Sequence, residues 1–140
     1  MREIKFRGKS TETKLHTARW RFGDLRTPSN EACKPLIFVH FPKPMHDGNG
    51  YWYEVEAETV GQFTGAKDIN GKELYEGDIV KFCDDRAHEL VGVIKWCALA
   101  RRWGVDISAS VRDCVYHPFD ARYAFEIIGN VHDNPELIKK

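Results

Sequence analysis

Short apolar runs broken by turn residues follow one another along almost the whole chain, and sustained helical periodicity is nearly absent. Residues 4–7 read as a strand, with Ile4 and Phe6 on one face. Residues 19–25 are the next, with Trp20, Phe22 and Leu25 set against Arg19 and Arg21. Residues 36–41 form a buried-type strand that Pro42 stops, because proline has no N–H to give a ladder. Residues 45–50 read as a loop, and the aromatic run 51–55 and then residues 60–63 follow as strands. In the second half, strands are predicted over 79–83, 90–96, 102–107 and 124–128, and residues 108–122 leave room for a little helix. Gly129 and Asn130 are expected to bend the chain before Val131. Asn134 followed by Pro135 opens a short terminal helical turn, since proline suits the first helical position.

The densest turn chemistry lies in 60–82, VGQFTGAKDINGKELYEGDIVKF. Asn70-Gly71 fits a turn in which both central residues take positive φ. Glu76-Gly77-Asp78 is a second tight turn, with a glycine free of Cβ clashes and an aspartate able to accept from nearby backbone. Gly61, Gly65, Asp68, Asn70, Gly71, Gly77 and Asp78 are therefore read as structural residues of this segment. Gly23-Asp24-Leu25 and Gly77-Asp78-Ile79 look alike, but three residues are too few for a repeat and coincidence explains them.

This segment, together with MREIKFRGK at 1–9, Trp20-Arg21-Phe22-Gly23-Asp24-Leu25, and the late Glu126-Ile127-Ile128-Gly129-Asn130-Val131 leading into Asp133-Asn134-Pro135-Glu136-Leu137, closely resembles the YopX-like family of phage and prophage proteins. The blocks stand in the family's order from end to end. Residues between Thr27 and Tyr51, and between Cys83 and Arg122, carry little of the resemblance. It implies a mainly β protein of phage or prophage origin and assigns no activity.

The 140 residues suffice for one domain, residues 1–140, or two small lobes, 1–63 and 64–140. The expected fold is mainly β: small, twisted, barrel-like lobes, the C-terminal half SH3-like, with a short C-terminal helical turn. Closure would hide strand edges. Hydrophobic residues at 42% and aromatics at 12% fit a folded chain. With 21 basic and 21 acidic residues the net charge is zero, which opposes a strong polyanion binder. Near the N-terminus, however, Arg2, Lys5, Arg7, Lys9, Lys14, Arg19, Arg21 and Arg26 outnumber Glu3, Glu12 and Asp24. That excess reads first as a solvated face. Charge from the second residue onward and the lack of an apolar leader argue against a signal peptide, and no apolar run approaches membrane-spanning length. A cytoplasmic protein, free of membrane and with Cys33, Cys83, Cys97 and Cys114 reduced, is expected.

Four constellations are candidates for chemistry. Cys83, Asp84, Asp85 and His88, with Cys114 and His117, are metal-ligating types, but close cysteine pairs and a His-Glu-x-x-His helix are lacking, so a polar loop is the expected reading and no metal or cofactor is expected. Cys97 beside Trp96 reads as an inert small hydrophobe; the chain has no Gly-x-Ser-x-Gly elbow and no phosphate-cradling Gly-x-x-x-x-Gly-Lys loop. Asp68, Glu73, Glu76 and Asp78 could act as acid and base, but turn chemistry explains their spacing. Arg19, Trp20, Arg21, Trp96, Arg101, Arg102 and Trp103 have the composition of a single-strand nucleic-acid surface. Phe38, Phe41, Trp52 and Tyr53 are the candidate protein interface, since aromatics are enriched at interface cores.

The expected function is that of a phage accessory protein that is not an enzyme, carries no catalytic residues and acts by protein binding, self-association included. A nucleic-acid-binding β module is the alternative, and a small enzyme using the signature carboxylates the second alternative.

Overall fold

The computed structural model describes residues 3–11, 19–40, 49–108 and 116–138. The chain divides into two compact units, Met1–Phe63 and Thr64–Lys140.

The first unit contains β1 (Phe6–Lys9), β2 (Trp20–Arg26), β3 (Leu36–His40), β4 (Gly50–Glu54), a 3-10 turn (Ala57–Thr59) and the start of β5 (Gly61–Lys67). Its strands are antiparallel and ordered β4-β3-β2-β1-β5. Strand alternation places Ile37 and Val55 in its buried interior. Gly23 has no room for a side chain, because a Cβ there would fall 1.9 Å from the Phe38 carbonyl oxygen. Thr59 holds the 3-10 turn to β1: its hydroxyl accepts from Lys9 N at 2.8 Å and donates to the Glu56 carbonyl at 2.6 Å.

The second unit takes up the rest of β5, then β6 (Glu73–Tyr75), β7 (Asp78–Cys83), β8 (Glu89–Cys97), β9 (Arg102–Asp106), β10 (Tyr116–Pro118), β11 (Glu126–Asn130) and a 3-10 turn (Pro135–Ile138). The latter part of β5 neighbours β6, and the Thr64 hydroxyl donates to the Leu74 carbonyl at 2.8 Å. The other strands form an antiparallel sheet in the order β10-β9-β8-β7-β11. Period-two alternation in β7 and β8 turns Val80, Phe82, Leu90 and Ile94 into one cluster with Leu74, Val105, Ile107, Tyr123 and Phe125. Phe82, His117, Tyr123 and Phe125 stack edge-on or tilted within it, at centroid separations of 4.6–6.2 Å.

The expected barrels are not closed. The second sheet ends at β10 and β11, which do not pair with each other among the described residues. Among the described residues of the first unit, an isolated Ser10↔Val55 bridge, flanked by Thr11 N to Glu54 O and Glu56 N to Lys9 O, ties the run-out of β1 to that of β4. One bridge fastens a curved sheet without completing a ladder.

Several boundaries also differ from the pattern reading. β1 starts two residues later than expected and leaves Ile4 exposed, because its partners on β2 run from Gly23 to Trp20. The run at 36–41 is not fully buried: only Ile37 is, and Phe41 lies outside the described residues, as do 41–48 and 109–115. Leu25 faces away from Trp20 and Phe22, pairing with Ile37. Gly129 and Asn130 lie within β11 rather than in a bend, next to a register irregularity between Ile127 and Gly129. β6 and β10, three residues each, carry too short a pattern to stand out in sequence.

Candidate binding surfaces

The signature segment is a structural hub. Gly71 and Gly77 have φ of +82° and +93°, in the left-handed region that favours glycine, and Gly65 likewise has +90°. Asp68 Oδ1 accepts from the N–H groups of Asn70 and Lys72, both at 2.9 Å, and Oδ2 from that of Ile127 at 3.1 Å. Burial alone would raise the Asp68 pKa; the three backbone donors, aided by the Lys72 charge, outweigh it and pull the carboxyl below its usual range. Asp78 is buried, and its Oδ2 accepts from Tyr75 N at 2.8 Å. These carboxylates bind backbone. Gly61 pairs with Arg7 across β5 and β1, and Asn70 sits at the tip of the Asp68–Lys72 turn. The resemblance between the two Gly-Asp steps ends at sequence: Gly23 and Asp24 are inside β2, whereas Gly77 and Asp78 form a turn and a strand start.

The loop between β7 and β8 is built the same way. Asp84 Oδ1 accepts from Arg86 N and His88 N at 2.9 and 2.8 Å, and Oδ2 lies 3.2 Å from His88 Nδ1. The His88 N–H bond, with that from Arg86, lowers the Asp84 pKa against the opposing effect of burial. Asp85 accepts instead from the Tyr123 hydroxyl at 3.2 Å; burial, then this bond, raises the Tyr123 pKa. Among the described residues no group of three or more His, Cys, Asp or Glu side chains is placed to hold a metal ion. Cys33 and Cys83 are exposed free thiols and Cys97 is partly covered; Cys114 lies outside the described residues.

Outward aromatic side chains include those of two surfaces that carry candidate contact residues. On the first unit, register puts Asp24, Phe38 and Trp52 side by side on β2, β3 and β4. Two residues along each strand, Phe22, Arg26 and His40 share that face. Phe38 packs on Trp52 at 4.8 Å and edge-on to His40 at 4.7 Å. His40 Nε2 meets Asp24 Oδ2 at 2.7 Å, and the Arg26 guanidinium lies 5.9 Å from the Trp52 ring centre. Phe22 and Trp52 remain 46% and 47% exposed. Tyr53 points to the opposite face, where Arg21 stacks on it at 3.9 Å. Trp20 carries the Arg7 guanidinium at 4.6 Å, and Arg19 N bonds to Ser10 Oγ.

The second surface is the β8–β9 hairpin. Trp96 pairs with Trp103 across the ladder, edge to face at 5.3 Å, and Cys97 pairs with Arg102. Trp103 rests against the core cluster while Trp96 is 48% exposed. Lys95 is engaged with Asp106 at 2.9 Å; burial opposes, but this bond and that from Ser108 N lower the Asp106 pKa. Candidate contacts that sequence grouped by composition therefore fall on separate surfaces: Arg19, Trp20 and Arg21 on β2 and its approach, and Trp96, Arg101, Arg102 and Trp103 on the hairpin. Composition missed Phe22 and Leu99, whose exposure is visible only once the strands are paired.

The described residues form a mainly β protein of two antiparallel sheets, with Asp68 and Asp78 bonded to backbone and Phe22, Trp52 and Trp96 about half exposed. The chain belongs to the YopX family: the family model described as YopX protein matches residues 5–139. The crystal structure of protein EF1440 from Enterococcus faecalis is similar over 98% of this chain and 99% of that one, with a TM-score of 0.51 and 22% identity, a likeness of fold. No curated protein matches the sequence significantly. No helix among the described residues is long and apolar enough to cross a membrane.

Proposed function

We propose that this YopX-family chain is a phage- or prophage-encoded accessory protein of the host cytoplasm, without catalytic activity, that acts by binding protein through the β2–β3–β4 face. The observation that carries this reading is the aromatic row Phe22, Phe38 and Trp52, with two of its three rings about half exposed. Aromatic side chains concentrate at the centres of protein interfaces, where their burial dominates binding. Charges of both signs flank the row, Asp24 and Glu54 beside Arg26, which suits a protein surface of mixed sign better than a polyanion. The phage origin draws its support from the family resemblance. The order of the second sheet, with β11 beside β7 at the start of a β7–β8–β9–β10 run, supports the SH3-like reading of that half.

A second copy of the chain is the first partner to test, because closed homo-oligomers are the usual way such a face is covered. Sedimentation equilibrium across a concentration series should show reversible self-association that Trp52→Ala and Phe22→Ala abolish. A strict monomer removes the self-partner. Photo-crosslinking from position 52 in host extract then decides: a specific protein adduct, missing from a probe at exposed position 31, is expected. Identical adduct patterns at both positions would defeat the reading.

A further inference from the structure

The β8–β9 hairpin outruns its sheet. β7 pairs with β8 from Glu89 only as far as Val93, and β10 pairs with β9 only as far as Gly104. Beyond Lys95↔Gly104 two strands remain, joined by the Trp96↔Trp103 and Cys97↔Arg102 pairs and closed by a turn over 98–101. Short two-stranded ribbons gain little stability of their own and pack little apolar surface. Yet this one carries Leu99 at its apex, 99% exposed, and Trp96 on its flank. Neither Arg101 nor Arg102 has an ion-pair partner among the described residues, while Lys95, just below them, is neutralised by Asp106.

From these features we infer that the ribbon tip is a binding site for single-stranded nucleic acid. The exposed Trp96 ring, braced edge to face by Trp103, receives a base by stacking. Arg101 sits on the turn and Arg102, paired with Cys97, faces the other side of the ribbon from Trp96, so a strand that stacks a base on Trp96 passes over the tip and brings its neighbouring phosphates to the two guanidinium groups. Leu99 supplies apolar contact to the next sugar or base. A duplex fits less well, because its base faces are already stacked and two arginines are few for its charge density. The protein-binding face proposed above belongs to the other unit.

Labelled oligo(dT) in a fluorescence-anisotropy titration is the test. With two phosphate contacts, the slope of log affinity against log salt should be about −1.4, so affinity falls about 7-fold between roughly 50 and 200 mM salt. Arg102→Gln should cut the slope by about 0.7. Arg101→Gly should do the same with no new backbone strain, since Arg101 has φ of +53°. Trp96→Ala should lower affinity about 5-fold or more at every salt concentration, the scale of one lost base stack, while a substitution at the exposed Glu31, Glu31→Ala, leaves it unchanged. Circular dichroism and thermal unfolding confirm that each variant stays folded. Absence of oligo(dT) binding at low salt overturns the inference. So does equal affinity for a blunt duplex, a slope untouched in the folded arginine variants, or binding to phosphatidylserine vesicles in place of the oligonucleotide.

Discussion

Asp68 accepts a hydrogen bond from the backbone N–H of Ile127, 59 residues along the chain, at 3.1 Å. The same carboxylate closes its own turn through Asn70 and Lys72. Beside it, Ile69 N donates to the Phe125 carbonyl at 2.9 Å. The turn between β5 and β6 is thus stitched to β11 by one of the four signature carboxylates.

Asp68→Asn should destabilise by about 1–3 kcal/mol near neutral pH, because an amide cannot accept from three N–H groups on both of its heavy atoms. The carboxyl's pKa is lower in the folded chain than in the unfolded one, so its stabilisation is fully present above the unfolded value of about 3.9 and is lost as pH falls through the folded value. Urea denaturation of both proteins at several pH values should show the difference shrinking in acid. A gap below about 0.5 kcal/mol that ignores pH would refute the role.

Gly71 and Gly77 should resist substitution for reasons of backbone alone. A Cβ at Gly71 would meet nothing within 4 Å, yet its φ is +82°. Gly71→Val and Gly77→Val should each cost about 1–3 kcal/mol. Gly71→Asn should cost less, since asparagine tolerates the left-handed region. If thermal unfolding ranks valine and asparagine equally at position 71, strain is not the cause.

Asp78→Ala should lower stability by about 1–3 kcal/mol, because it leaves the Tyr75 N–H without its carboxylate acceptor in a buried turn. Asp78→Asn keeps one acceptor oxygen and should recover part of the loss. Equal destabilisation by alanine and asparagine in chemical denaturation would show that this hydrogen bond is not what matters.

Thiol chemistry should follow exposure. In the native protein Cys33 and Cys83 should react first with a thiol reagent and Cys97 more slowly. In denaturant without reductant, all four thiols should titrate. Finding fewer than four would reveal a disulfide; a reversed native order would contradict the placement of Cys97 at the end of β8.

Most strands, the two turns of the signature and the mainly β class were legible in sequence, because they depend on period-two alternation and on residues that tolerate special backbone angles. Both are local properties that a short window carries. Gly71, Gly77 and the Asp68–Lys72 turn belong to this category, and the YopX resemblance rested on the same segment. Tertiary structure decided what local pattern cannot encode. Whether a sheet closes depends on which distant edges meet, and among the described residues of the first unit the bridge that joins them is the isolated Ser10↔Val55 pair with its flanking backbone bonds. Asp68 finds Ile127 only because β11 lies beside β7. Exposure was decided the same way. Ile37 is buried while its neighbour on the next strand face, Phe38, joins the outward row with Trp52, and Trp96 and Trp103, equivalent by composition, divide into an exposed ring and one resting on the core. A side chain's burial is set by what its face of the strand meets, and that is a property of the pairing, not of the strand.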